Sequence, residues 1–453
     1  MSDTVTPASE VTLGRRDALL YSISAILLLD TVASSAAIGV ASIGWWLVLG
    51  ALFFVPFALI STELGCSYPD PGGIYGWVRR AFGGRWAGRI AWYYWVNVAA
   101  WCPSIYVLLV GVLSQWLSLE ISLLAQVGIG LVLAWLTVLV NWLTLDLGKW
   151  VPNVGALFKI VIFSAIILGA FALAAEQGTA NAFSLAALVP RWEQGVQYVP
   201  VIVYGMLGFE LISASSDALD DPAAVLPGAT LAAGAIILLF YVLSTVAVLV
   251  AIPVAEVNLV EGLVDTLRLL FAGDLTSWLV HVLIAGALYT FFSNGVTWAL
   301  GANRAAAAAA RSDHLPSVFG REDRQRGTPV GAAVLLGVAS SAILLLYALT
   351  ASNNEDLFWS LFAFSGVIFF LPYVVMMLAY VRLKRRPDYP ARFRFAPPAV
   401  TTVLAWLCAG ILLFCIGLFL YVPGEGLQWP VLTGAAVLIV LGEFVIPRQV
   451  RHG

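Results

Sequence analysis

Residues 25–39 read AILLLDTVASSAAIG. A leucine run that could begin a membrane crossing stops at a carboxylate, Asp30. Thr31, Ser34, Ser35 and small residues then lead to Gly39. A second stretch, residues 203–222, reads VYGMLGFELISASSDALDDP and repeats the theme. Gly205 and Gly208 precede an acid, Glu210, and serines follow at Ser213, Ser215 and Ser216. An ionisable group at membrane depth is expensive and usually marks a pathway. Gly-interrupted apolar segments at matching places in two halves of a chain are the best sequence pointer to a transport site.

The rest of the chain fits that setting. Its 453 residues are 61% hydrophobic and 11% charged, with a mean hydropathy of +0.93, where soluble proteins carry about 25% charged residues. So few ionisable groups cannot solvate a particle of this size. Soluble enzymes, nucleic-acid binders and disordered scaffolds are disfavoured together. The 40 Gly and 17 Trp suit membrane helices and their interfaces. Cys66, Cys102, Cys408 and Cys415 have no metal-ligand spacing and read as small buried hydrophobes, without disulfides. The polar start, and a first apolar run too long for a signal sequence, predict no cleaved leader.

A crossing needs about 20 mostly apolar residues. Twelve runs qualify, near 18–41, 44–65, 88–115, 122–142, 151–174, 196–217, 227–252, 276–303, 329–350, 357–381, 397–421 and 428–446. They are continuous rather than alternating, so they are helices and not barrel strands. The predicted fold is an all-α integral membrane protein with 12 transmembrane helices. Residues 1–17 form a cytoplasmic N-terminus, 18–446 a single transporter domain and 447–453 a cytoplasmic tail. With both ends inside, all of the 23 Lys and Arg except Arg191, Arg268 and Lys159 fall in cytoplasmic segments, as the positive-inside rule requires. Lys149, Arg324, Arg448 and Arg451 are among them. Residues 257–271, VNLVEGLVDTLRLLF, have the apolar period of a short surface helix. Residues 301–316, GANRAAAAAARSDHLP, continue the eighth span inward as helix until Pro316.

Four ionisable residues lie at or near membrane depth. Asp30 pairs with a substrate amine or carries a proton; alternatively it accepts local backbone and hydroxyl bonds. Glu210 is functional, or it holds irregular backbone together. Lys159, about two turns into the fifth span, exchanges a proton when buried, or it snorkels to the surface. Glu63 lies near an inner boundary and reads as structural. The third span is dense in aromatics: Trp92, Tyr93, Tyr94, Trp95 and Trp101. Interface belts and lipid contact account for most of them, with Asn97 as the polar exception. Tyr204 and Trp298 flank the interrupted helices and can act as lids.

Residues 63–88, ELGCSYPDPGGIYGWVRRAFGGRWAG, resemble the amino acid–polyamine–organocation (APC) permease superfamily. There an acid is followed by Pro-Gly-Gly-x-Tyr-x-Trp and a basic-Phe-Gly segment. Gly208–Phe209–Glu210, the Asp221–Pro222 pair and Pro227 match its sixth-span pattern. Trp298, Gly301 and Arg304, then Pro316 and residues 327–330 (GTPV), together with residues 256–267, look most like the bacterial glutamate/GABA antiporter branch. The resemblance covers nearly the whole chain. It implies a 5+5 inverted repeat, with repeat one at 18–174, repeat two at 196–381 and two further helices at 397–446. Substrate lies between discontinuous helices 1 and 6. By resemblance Glu210 is proton-linked, Tyr204 is an outer gate, Trp298 lies on the cytoplasmic side of the substrate, and Lys159 matches a fifth-span proton carrier.

Three features depart from that family. The Gly-Ser-Gly carboxylate cradle of the first span is replaced by DTVASS at 30–35. Ala218 and Leu219 stand where an acid often precedes the DP pair. The chain ends soon after its last span, so acid-gated plugging by a long tail is not expected.

The reading is a secondary active transporter of amino acids in the plasma membrane, proton-coupled or exchanging, working by alternating access. A polyamine or monoamine permease of the same superfamily is the alternative. The substrate-binding set is Asp30, Thr31, Ser34, Asn97, Tyr204, Gly205, Gly208 and Trp298, with Glu210 and Lys159 for proton coupling. No cofactor, metal or nucleic acid is implied. The partners are a small amino acid or amine, protons and the lipid bilayer. An intramembrane enzyme would need clustered nucleophile, base or metal ligands, and His281, His314 and His452 are dispersed. A sensor that binds without transport is the remaining rival.

Overall fold

The computed structural model describes residues 14–69, 72–143, 150–191, 196–213, 219, 221–259, 262–271, 277–323 and 325–447. The predicted basic positions Lys149, Arg324, Arg448 and Arg451, the serines Ser215 and Ser216, Ala218, and His452 lie outside them.

The described chain is mostly helical. In order come α1 (Arg15–Ile26), α2 (Asp30–Ala36), α3 (Ala41–Leu49) and α4 (Val55–Ser67), the last two joined by a π turn at Gly50–Phe54. Then follow α5 (Ile74–Phe82), α6 (Gly84–Leu117), α7 (Leu123–Leu143), α8 (Trp150–Gln177), α9 (Val199–Tyr204) and α10 (Phe209–Ser213). The second half holds α11 (Pro222–Ala251), α12 (Gly262–Leu270), α13 (Ser277–Arg311), α14 (Val330–Ala348), α15 (Asn354–Lys384), α16 (Pro398–Leu420) and α17 (Trp429–Val445). A two-stranded hairpin, Tyr421–Val422 with Gly426–Leu427, joins α16 to α17.

Among the described residues nine helices are long and apolar enough to cross a bilayer. α1 and α2 together make a tenth candidate, bent by 50° at a short break. Two shorter apolar stretches, Val196–Ile212 and Trp429–Val445, complete the set. The chain is an all-α membrane protein.

α6 is the buried axis. Its most apolar window is 94% buried, against 33% for peripheral α7. This corrects the expectation for the third-span aromatics. Trp92, Tyr93, Tyr94, Trp95 and Trp101 are all buried in protein rather than facing lipid or an interface. Hydropathy cannot separate the two environments, because lipid and a helix core are equally apolar. All four cysteines are buried free thiols.

The loop motif has a local logic. Gly83, at φ +87°, turns the chain between α5 and α6, a backbone region costly for residues with a Cβ. The DP pair starts α11: Asp221 Oδ1 accepts from the N–H groups of Ala223 (3.0 Å) and Ala224, and Pro222 takes a first-turn position that needs no donor. α13 stops at Arg311 rather than running on to Pro316. Asp313 turns left-handed at φ +57°, and the His314 N–H closes the end on Ala309 O. The predicted short helix is α12, whose Leu263, Val264 and Leu267 pack inward.

Glu63, read from the sequence as structural, sits in a closed set of partners. It is fully buried, paired with Lys384, and accepts from Tyr380 (2.9 Å) and Tyr389 (3.2 Å). One carboxylate thereby ties α4 to the end of α15 and the segment after it.

Candidate transport site between two interrupted helices

The first membrane segment is broken between Ile26 and Asp30. A helix end leaves its last carbonyls without intrahelical donors, and in a membrane other groups must satisfy them. Three side chains from three helices do so. Lys159 Nζ on α8 donates to Ser24 O at 2.5 Å. Trp298 Nε1 on α13 donates to Ala25 O at 3.2 Å. Tyr241 Oη on α11 donates to Ile26 O at 2.6 Å and accepts the Leu28 N–H at 2.8 Å. Lys159 also donates to Asn294 Oδ1 at 2.7 Å and is completely buried. Its amine nitrogen sits at the negative end of α1, where a positive charge is favoured. The snorkelling alternative is thereby set aside.

The second break separates α9 from α10. Gly205 and Met206 form a turn, and Gly208 adopts φ +126°, a region nearly restricted to glycine. The two breaks cross at close range. A Cβ on Gly205 would stand 2.9 Å from Thr31 Cγ2 and 3.1 Å from Tyr241 Oη. A Cβ on Gly208 would stand 2.9 Å from Ile26 Cγ1. Both glycines are needed for close approach, which adds to the sequence reading of helix interruption.

Polar atoms gather at this crossing. Asp30 opens α2 and is 3% exposed; both its carboxylate oxygens are buried without a hydrogen-bond partner. Ser24 Oγ, Thr31 Oγ1, Asn97 Oδ1 and Trp101 Nε1 are in the same condition. Trp101 faces the Asp30 carboxylate. Lys159 interacts with Asp30 through space, its ammonium being committed to Ser24 and Asn294. Ser34, by contrast, turns its hydroxyl back onto Asp30 O at 3.3 Å.

Glu210 lies in the first turn of α10. Its Oε1 accepts from Tyr373 Oη at 2.6 Å and Tyr94 Oη at 3.1 Å, while Oε2 is buried and unpartnered. An aromatic wall joins the two carboxylates. Trp298 packs on Trp101 (centroids 6.1 Å) and on Tyr94 (6.3 Å), and Phe369 packs on Trp298 (5.5 Å) and Tyr373 (4.8 Å). Tyr204 packs at a tilt against Phe362 (4.7 Å) and Phe369 (4.8 Å). Sequence reasoning missed Tyr241, Tyr94, Tyr373, Trp101 and Asn294 as members of this site. A hydroxyl-bearing tyrosine inside an apolar span was the available signal, because a buried phenol needs a partner.

The profile of the amino acid permease family matches residues 13–442. The chain belongs to the amino acid permease family. Among the relatives of this permease is a probable agmatine/putrescine antiporter of Lactococcus lactis, 30% identical over 96% of this chain and 94% of the relative. An uncharacterized transporter of Legionella pneumophila is 25% identical over 88% and 86%. Another, from Mycobacterium bovis, is 25% identical over 63% and 62%. The APC resemblance of the loop and sixth-span motifs is borne out, and this permease is a multi-pass membrane transporter.

Proposed function

We propose that this permease is a secondary active transporter of small organic amines, amino acids or their decarboxylated relatives, across the plasma membrane. Asp30 receives the substrate ammonium. A carboxylate without a hydrogen-bond partner, in a wall of aromatic rings, is a site for a cation: charge pairs with charge and the ring faces add cation–π attraction. That unpartnered Asp30 carboxylate carries the reading. Diamines are favoured within the class. Glu210 Oε2 offers a second free acceptor beyond the aromatic wall, and the Lactococcus lactis relative bears an agmatine/putrescine name. A neutral amino acid must place its own carboxylate near Asp30, without the family's glycine cradle.

The transport cycle is alternating access, with the two breaks as hinges. The nine long helices, the bent pair and the two shorter stretches support twelve crossings, and the family resemblance implies a 5+5 inverted repeat with two added helices. The distribution of arginines supports both termini in the cytoplasm. Glu210 is the proton-coupling group, Lys159 pins the inner half of the first segment, and Tyr204 and Trp298 gate the chamber. No covalent step is required of any residue.

Counterflow in proteoliposomes tests the proposal. Labelled putrescine should exchange saturably and be displaced by agmatine more strongly than by neutral amino acids. If neutral amino acids exchange while no amine moves or competes, the amine assignment fails; binding without any flux would make the protein a sensor.

A further inference from the structure

We propose that Trp101 sets the length of substrate the chamber admits, with its indole as the end wall beside Asp30. The inference rests on the amine reading of the site and adds a residue that selects within the class.

Among the tryptophans that are themselves buried Trp101 stands apart, although half-buried Trp45 also keeps an unpartnered indole N–H. Trp46, Trp77, Trp92, Trp95 and Trp298 each donate their indole N–H, to Thr245, Tyr68 O, Leu438 O, Asn303 and Ala25 O respectively. Trp101 is 2% exposed, and its N–H approaches the Asp30 carboxylate without closing a hydrogen bond of normal geometry. A buried indole N–H normally finds a partner, so this orientation is not explained by fold stability alone. The ring faces Asp30 and meets Trp298 edge-on at 6.1 Å. Asn97 lies one turn earlier on the same face of α6, with its Oδ1 also unpartnered. α6 therefore presents one amide oxygen, one indole and one indole N–H to the place where the ammonium is held. An ammonium anchored at Asp30 has an alkyl stem that must run along Trp298 towards Tyr94. The indole fixes where that run begins, and its N–H, near the carboxylate but not bonded to it, is left to bond the carboxylate once an ammonium is held there.

The test is a length series. Straight-chain primary monoamines and α,ω-diamines of increasing carbon number compete against labelled putrescine in proteoliposomes. The proteins are wild type, Trp101→Phe and Trp101→Ala, with size-exclusion profiles as a folding check. Trp101→Leu replaces the alanine variant if that variant aggregates. Wild type should gain about fourfold for each methylene up to its optimum, the value of a buried CH2, and lose affinity beyond it. Trp101→Ala should move the optimum to longer amines. Trp101→Phe should keep the optimum and weaken all amines together, since it keeps ring bulk and loses the N–H. An unchanged optimum in the folded truncation variant overturns the assignment of Trp101 while leaving the amine site standing. No competition by any amine against wild type removes the amine site, and this inference with it.

Discussion

Tyr241 donates its phenolic hydrogen to Ile26 O at 2.6 Å, across 215 residues of sequence. The same oxygen accepts the Leu28 N–H, so one side chain closes both ends of the interruption in the first membrane segment. Trp46 stacks on its ring at 4.5 Å and hydrogen-bonds Thr245 one turn further along α11. The break is thus a built feature, held from outside the segment that contains it.

Tyr241→Phe should therefore destabilise the protein while keeping ring packing. It strands a buried carbonyl and a buried N–H, each costing about 1–3 kcal/mol when unpaired. Thermal unfolding in detergent should show the loss, and transport should fall alongside it. A melting temperature equal to wild type would mean that another group, or water, serves the break equally well.

Asp30→Asn tests the ammonium site. A hydrogen bond to a charged partner is worth about 1.5–3 kcal/mol, so amine affinity should fall by about tenfold or more, and most for short diamines. Competition curves against labelled putrescine provide the readout. Unchanged affinity for every amine would leave Asp30 with a purely structural role.

Glu210→Gln keeps an oxygen acceptor for Tyr94 and Tyr373 but removes the titratable group. Folding should survive and the pH dependence of exchange should flatten. Flux measured across a pH series with equal pH on both sides of the membrane decides this. A wild-type pH profile in the variant would exclude Glu210 from proton coupling.

His314 gives a separate pH effect, outside the membrane. It lies just beyond α13, with Nδ1 2.7 Å from Tyr75 Oη and the ring packed on Gly84. Burial, reinforced by the nearby Arg79 charge, holds its pKa below the ordinary histidine value, and Asp313 opposes them. The folded state therefore binds fewer protons than the unfolded state. Its stabilising contribution is complete above the ordinary histidine range and is lost as pH falls through that range towards the lowered folded value. His314→Gln should remove this part of the acid sensitivity in thermal melts. Parallel pH–stability curves for the two proteins would refute it.

Much of the fold was legible in the sequence because hydropathy is local. Twenty apolar residues in a row have one low-energy fate in a bilayer, whatever the rest of the chain does. The interruptions were legible too, since acid, glycine and serine placed among leucines at 25–39 and 203–222 break a helix through their own chemistry. Lys159 and the third-span aromatics were not decided at that level. Whether a lysine snorkels, or a tryptophan meets lipid, depends on what stands opposite.

Local composition is enough to specify a helical membrane protein with two polar interruptions and an acid at each. What those interruptions face depends on long-range packing. The groups that satisfy Ser24, Ala25 and Ile26 arrive from 135, 273 and 215 residues away. The same packing leaves Asp30 and Trp101 without partners. The physical reason is that a carbonyl released by a break must be paired in a dry interior, and the pairing group can come from any helix that packing brings within reach.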